Sequence, residues 1–101
     1  MSVRKAKRQT KHGLSRMNTR IGISNEKIAI NTIRCASKKG MSISEFEEGA
    51  LKDYLRTKDH GKRIKVYKGT IYIFNKTSDR VITLYPIPEE FMEEYNKYGK
   101  Q

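Results

Sequence analysis

His12, Arg16 and Arg20 recur at every fourth residue of the stretch 10–20, TKHGLSRMNTR. If that stretch is helical, the three side chains share one face. Histidine exchanges a proton near neutral pH, and guanidinium groups grip a phosphate through paired hydrogen bonds. Metal-free cleavage of RNA needs these parts. A base takes the proton of the 2′-hydroxyl, an acid protonates the leaving 5′-oxygen, and cations offset the extra charge on phosphorus. The plainer alternative is a solvated basic helix face.

A second set of polar groups lies in residues 63–86, RIKVYKGTIYIFNKTSDRVITLYP. Residues 64–68, 70–75 and 81–85 are rich in β-branched and aromatic types, which favour strands. Lys68-Gly69 reads as a two-residue hairpin loop with Gly69 at positive φ. That loop pairs Tyr67 with Thr70, Val66 with Ile71, Lys65 with Tyr72 and Ile64 with Ile73. Residues 75–80, NKTSDR, form a longer polar turn. Pro86 and Pro88 cannot donate to a ladder, so the third strand ends there.

Strand alternation predicts two faces. Ile64, Val66, Ile71, Ile73, Ile82 and Leu84 form an aliphatic face that helices must cover. Arg63, Lys65, Tyr67, Tyr72, Phe74, Thr83 and Tyr85 form the other, where cations meet phosphates and bases stack on rings. There Thr83 and Tyr85 would bond phosphate or ribose, Lys65 would neutralise charge and Tyr72 would stack a base. The alternative is a half-buried face whose tyrosines pack under another helix.

Helices must position these groups. In the first, Leu14, Met17 and Ile21 pack, Gly13 weakens the helix by about 1 kcal/mol, and Gly22 ends it. Ser24 is the expected N-cap of a helix over 25–39, with Ile28, Ala29, Ile33 and Ala36 as its stripe and Gly40 closing it. Ser44-x-x-Glu47 reads as a capping box for a helix over 45–58, which would bury Phe46, Ala50, Leu51, Tyr54 and Leu55. Pro88 opens a short helix over 89–98, docked by Phe91, Met92 and Tyr95. The expected fold class is α+β, with N-terminal helices packed on a small antiparallel β-meander and a short C-terminal helix. Residues 1–11 read as a basic arm and residues 12–101 as one domain.

The 101 residues carry 22 Lys and Arg against 11 Asp and Glu, a net charge of +11. Arg4, Lys5, Lys7, Arg8 and Lys11 crowd the arm. Such asymmetry favours a polyanion, most simply nucleic acid, although basic residues also serve solubility. The lone Cys35 rules out a disulfide framework and points to a reducing, cytoplasmic setting. One Cys and two His cannot assemble a metal-ligand cluster, and no cofactor is called for. No long apolar run predicts a membrane span or a secretory signal.

Two stretches carry a family resemblance. His12-x-x-x-Arg16-Met17-x-x-Arg20-x-Gly22-Ile23-Ser24 resembles the opening of small bacterial and phage proteins, and Val81-Ile82-Thr83-Leu84-Tyr85 resembles their closing strand. Those proteins are similar to the RelE and barnase–colicin class of small ribonucleases. The resemblance implies helices followed by an antiparallel sheet, with RNA across the exposed sheet face. It implies a toxin-type or phage metal-independent endoribonuclease, with an antitoxin or a host ribonucleoprotein as a further partner. This chain departs from the pattern in the extra Ile21, in Gly13 where Ala is common, and in two helices between the motifs. The expected catalytic set is His12, Arg16, Arg20 and Thr83. The expected nucleic-acid contacts are the arm cations with Arg63, Lys65, Tyr67, Tyr72 and Tyr85. A non-catalytic nucleic-acid or ribonucleoprotein binder, such as a phage inhibitor of a host nuclease, is the alternative.

The arm has almost no apolar side chain to bury. Deleting residues 1–9 is expected to weaken RNA binding in a gel-shift assay and to leave the thermal melt unchanged. A large drop in melting temperature would make the arm structural.

Overall fold

Thr70, Ile71, Tyr72, Ile73 and Phe74 are buried without exception, so the strand they form has no solvent face. The computed structural model describes residues 11–59, 61–78 and 80–98. In chain order these form α1 (Lys11–Ile21), α2 (Glu26–Lys39), α3 (Ala50–Arg56), β1 (Arg63–Tyr67), β2 (Thr70–Phe74), β3 (Val81–Pro86) and α4 (Met92–Asn96). Single 3-10 turns at Ile43–Glu45 and Glu89–Phe91 precede α3 and α4. The class is α+β, with an antiparallel sheet in the order β1-β2-β3.

The first hairpin has the expected register, from Tyr67 opposite Thr70 to Ile64 opposite Ile73. Lys68 and Gly69 have φ values of +48° and +79°, the left-handed pair of a type I′ turn, whose twist matches the strands. The third strand runs differently. Tyr85 lies opposite Ile71, Leu84 opposite Tyr72 and Thr83 opposite Ile73, while Val81 lies opposite Phe74 across an irregularity. Ile82 is the extra residue of a β-bulge there.

This register corrects the expected faces. Thr83 and Tyr85 share the side of Ile71 and Ile73, and Leu84 shares the side of Tyr72. The polar turn at 75–80 does not transmit register as a two-residue loop does, and the bulge shifts the alternation once more. The open ligand-binding sheet face is corrected as well. Tyr72, Phe74, Val81 and Leu84 pack with Met17, Ala29, Ile33 and Ala36 of α1 and α2. Ile64, Val66, Ile71 and Ile73 pack with Phe46, Leu51, Leu55 and Tyr95 on the opposite side. Each face is thus roofed by helices. Large rings at Tyr72 and Phe74, worth burying at about 25 cal/mol per Å², draw α1 and α2 onto the face that the sequence left for RNA.

The helix ends are set locally. Gly22, at φ +73°, lets Ile23 N–H reach Met17 C=O at 3.0 Å and closes α1. Asn25, rather than Ser24, caps α2 by accepting from Ile28 N–H at 3.0 Å. Ala29, Ile33 and Ala36 make the expected stripe, but Ile28 stays 55% exposed. The expected long helix over 45–58 is broken. Ser42 N–H donates to Glu45 Oε1 at 3.3 Å in the 3-10 turn, Phe46 dives into the core, and α3 begins only at Ala50. A Cβ at Gly49 would lie 2.7 Å from Glu94 Oε2, because that carboxylate accepts Leu51 N–H at 3.2 Å and caps α3 from α4. No helix among the described residues is long and apolar enough to cross a membrane.

Burial pushes the Tyr72 phenol up from its ordinary value of 10.0 to about 12. The folded state therefore favours the neutral phenol. The stability this confers is intact below the unfolded value and is lost as pH rises toward 12. Urea unfolding of wild type should weaken across that window, and Tyr72→Phe should flatten the loss. An unchanged alkaline profile in the mutant would place the linkage in other groups.

Candidate nucleic-acid interface

α1 runs parallel to β3 along the outer edge of the sheet. Arg16 Nη1 donates to Ile82 C=O at 3.4 Å. Arg20 Nη1 donates to Leu84 C=O at 2.9 Å and to Thr83 Oγ1 at 3.2 Å. Four helical residues advance about 6 Å and two strand residues about 6.6 Å, so helix and strand stay in step. An edge strand presents carbonyls with no ladder partner, and these two arginines cover them. A guanidinium has five N–H donors. In Arg16 and Arg20 the bonds among the described residues all come from Nη1, which leaves Nη2 and Nε without one.

The expected catalytic set is therefore assembled in part. Arg16, Arg20 and Thr83 come together at the β3 edge. His12 is exposed, one helical turn from Arg16 and about 12 Å along the axis from Arg20. It sits at the end of the row rather than in its centre.

Two residues extend the cluster past Thr83. Tyr85 is half-buried. Burial and the nearby Tyr54 raise its phenol above the ordinary value, while Arg20 pulls it the other way. The Lys58 ammonium lies 5.4 Å from the Tyr85 ring and 5.1 Å from the Tyr54 ring. Lys58 was not among the expected contacts. Its one sequence signal is its spacing, four residues after Tyr54, which holds the ammonium over the aromatic pair.

The other expected contacts divide. Lys11 is exposed at the start of α1. Arg63 is committed to structure: it donates to Ser78 C=O at 2.9 Å and Ser37 Oγ at 3.1 Å, and lies 5.3 Å over the Phe74 ring. Lys65 donates to Ser42 Oγ at 3.0 Å. Tyr72, at 1% exposure, is closed to base stacking, which corrects its expected role. Tyr67 is half-buried beside the β1–β2 turn. Arg4, Lys5, Lys7 and Arg8 lie outside the described residues.

Charge follows the layers. Residues 11–39, which form α1 and α2, hold seven cations and one acid, a net +6. Residues 43–59 and 89–98, which form the opposite layer, hold four cations and nine acids, a net −5. In that acidic layer Glu48 pairs with Arg56 at 3.0 Å and with Lys52 at 3.4 Å. Hydrogen bonds from Arg56 and Lys52 hold the Glu48 carboxyl below its usual range. Among the described residues, no cation of α1 or α2 is in an ion pair. Nor, among them, does any group of three His, Cys, Asp or Glu side chains sit close enough to hold a metal ion. No family model, no curated protein and no solved structure matches the chain.

The two arginine contacts differ in quality, so their removal should differ in effect. Arg20→Ala uncovers the Leu84 carbonyl and is expected to cost about 1 kcal/mol of unfolding free energy. Arg16→Ala, with its long and exposed bond, should cost less than half of that. Urea denaturation measures both. Equal effects would remove the special role of Arg20 at the edge.

Proposed function

We propose that the protein binds RNA, with phosphates lying along the α1–β3 row of Lys11, Arg16 and Arg20. One observation carries this reading: the fold sorts charge, with net +6 on the α1/α2 layer and net −5 on the opposite one. A soluble protein gains nothing in solubility from such sorting, whereas a polyanion is attracted to one side and oriented by the other. Arg16 and Arg20 add direction, because their strand contacts fix them while leaving N–H groups for a bidentate phosphate. The choice of RNA is supported by the likeness of the His-Arg-Arg row and the closing strand to those of small ribonucleases.

A second reading, metal-independent endoribonuclease, is favoured by the meeting of Arg16, Arg20 and Thr83. In it the arginines and Thr83 hold the scissile phosphate, and His12 supplies the proton transfer from one turn away. A base must reach the proton it takes, so an RNA strand running along α1 toward His12 is a requirement of this reading.

One set of measurements tests both. If about five phosphates are contacted, affinity for a single-stranded oligoribonucleotide should fall about a hundredfold between 50 and 200 mM salt. Arg16→Gln with Arg20→Gln should reduce the log–log salt slope by about 1.4. A flat salt titration overturns the binding proposal. If labelled RNA is also cut, His12→Ala should slow cutting by about 10²–10⁴ and change binding little. A chelator should then have no effect, and the products should end in a 2′,3′-cyclic phosphate. RNA left intact at micromolar protein, with and without ribosomes, ends the nuclease reading.

A further inference from the structure

The β1–β2 turn is built from an unexpected residue. Both central positions of a type I′ turn need positive φ, which Asn, Asp and Gly adopt most readily. Lys68 occupies the first of them at φ +48°. A side chain of this kind in the left-handed region costs on the order of 1 kcal/mol. Lys68 is the one non-glycine residue among the described residues that adopts it. The turn is also held firmly. Gly69 N–H donates to the Tyr95 hydroxyl at 3.1 Å, and Ile87 N–H donates to Gly69 C=O at 2.9 Å. The Lys68 ammonium lies 5.4 Å over the Tyr67 ring.

Beside this turn lies a groove of about 450 Å³ between the end of α1, α2 and the hairpin. Its size is within the range of small-ligand sites. Ile23 and Tyr67 form apolar walls, and Asn31 stands at the rim. Thr70 and Tyr72 form the floor, 7% and 1% exposed. Both side chains bring a hydroxyl to the groove. Ring, buried hydroxyls, amide and ammonium together make the complement of a nucleotide. A base would lie against Tyr67, with its polar edge toward Asn31 and the hydroxyls and its phosphate at Lys68.

We propose that this groove is a nucleotide subsite that takes one unstacked base of a bound RNA strand. The proposal rests on the RNA-binding reading and extends it. Ile21 also lines the groove and directly follows Arg20, so a strand with its phosphates on Arg16 and Arg20 delivers its next nucleotide there. Lysine at the strained turn position is explained by the ligand, since the turn itself would be better served by asparagine.

Cys35, the single cysteine, lines the same groove and reports on its occupancy. The experiment follows the rate of iodoacetamide alkylation of Cys35 in the full chain by mass spectrometry. The four ribonucleoside 5′-monophosphates are the probes, with inorganic phosphate and ribose 5-phosphate as controls. For a site with Kd of about 1 mM, 4 mM of a fitting nucleotide should slow alkylation about fivefold by simple occupancy, and the controls should leave it unchanged. Lys68→Asn should lose most of the protection and raise the melting temperature, whereas Lys97→Gln, a charge-matched control on the acidic side, should keep the protection. A groove that no nucleotide protects, or protection that survives Lys68→Asn, overturns the proposal. Steep salt-dependent binding of an oligoribonucleotide without nucleotide protection would sink the groove and spare RNA binding. Protection that depends on Lys68, with no oligoribonucleotide binding, would sink RNA binding and leave a mononucleotide site.

Discussion

A middle strand with no solvent face governs this molecule. β2 is buried at all five positions, so both sides of the sheet must be roofed, and the described residues supply four α-helices for the purpose. α1 and α2 take one side, and α3 and α4 take the other. The two outer strands remain as edges, and each edge is managed. β1 gains a bridge with Met41, whose N–H and C=O both pair with Val66 at 2.9 Å. β3 gains Arg16 and Arg20, whose guanidinium groups cover the carbonyls of Ile82 and Leu84. An uncovered edge invites pairing with other chains, so the arginine row has a structural duty before any functional one.

The same packing decides where chemistry has room. Tyr72 and Phe74 lie stacked, 6.1 Å apart, beneath two helices, and they exclude ligand from the middle of that face. What stays accessible is the helical rim: the β3 edge, the α1/α2 surface and the tip of the first hairpin. α4 supports the hairpin tip from the other side of the sheet, since the Tyr95 hydroxyl accepts from Gly69 N–H at 3.1 Å. The acidic layer thus holds the tip of the first hairpin in place.

How much of this was legible in the sequence depended on how each segment transmits register. The first hairpin could be read residue by residue, because a two-residue loop admits one pairing and Gly69 requires the positive φ that it adopts. The phase of β3 could not, because the turn at 75–80 fixes no register and Ile82 adds a bulge. The His12, Arg16 and Arg20 face was legible from helical spacing alone. That Arg16 and Arg20 would be bonded to β3 was not, since the contact joins residues 66 and 64 positions apart. Helix propensity ran through residues 45–49, but the burial of Phe46 and the Glu94 carboxylate at Gly49 overrode it. The roofing of the Tyr72 face followed from the strength of aromatic burial. Alternation of polar and apolar types does not weigh that against the cations at Arg63 and Lys65.

Those two cations show how a buried face tolerates charge. Arg63 lays its guanidinium over Phe74 and satisfies its donors on Ser37 and Ser78. Lys65 runs its stem beneath Gly40, where an added Cβ would lie 3.0 Å from Lys65 Cβ, and brings its ammonium to Ser42. Long cationic side chains bury their stems and export their heads, so alternating cations along β1 did not mark an open face. They marked the rim of a closed one. Arg16 and Arg20 differ in that their partners are a strand edge, reached from a helix that solvent bathes on its outer side. A cation bonded at a rim stays addressable by a polyanion, whereas a cation threaded under a helix does not. On that physical ground the proposed polyanion surface is assigned to α1 and the β3 edge rather than to β1.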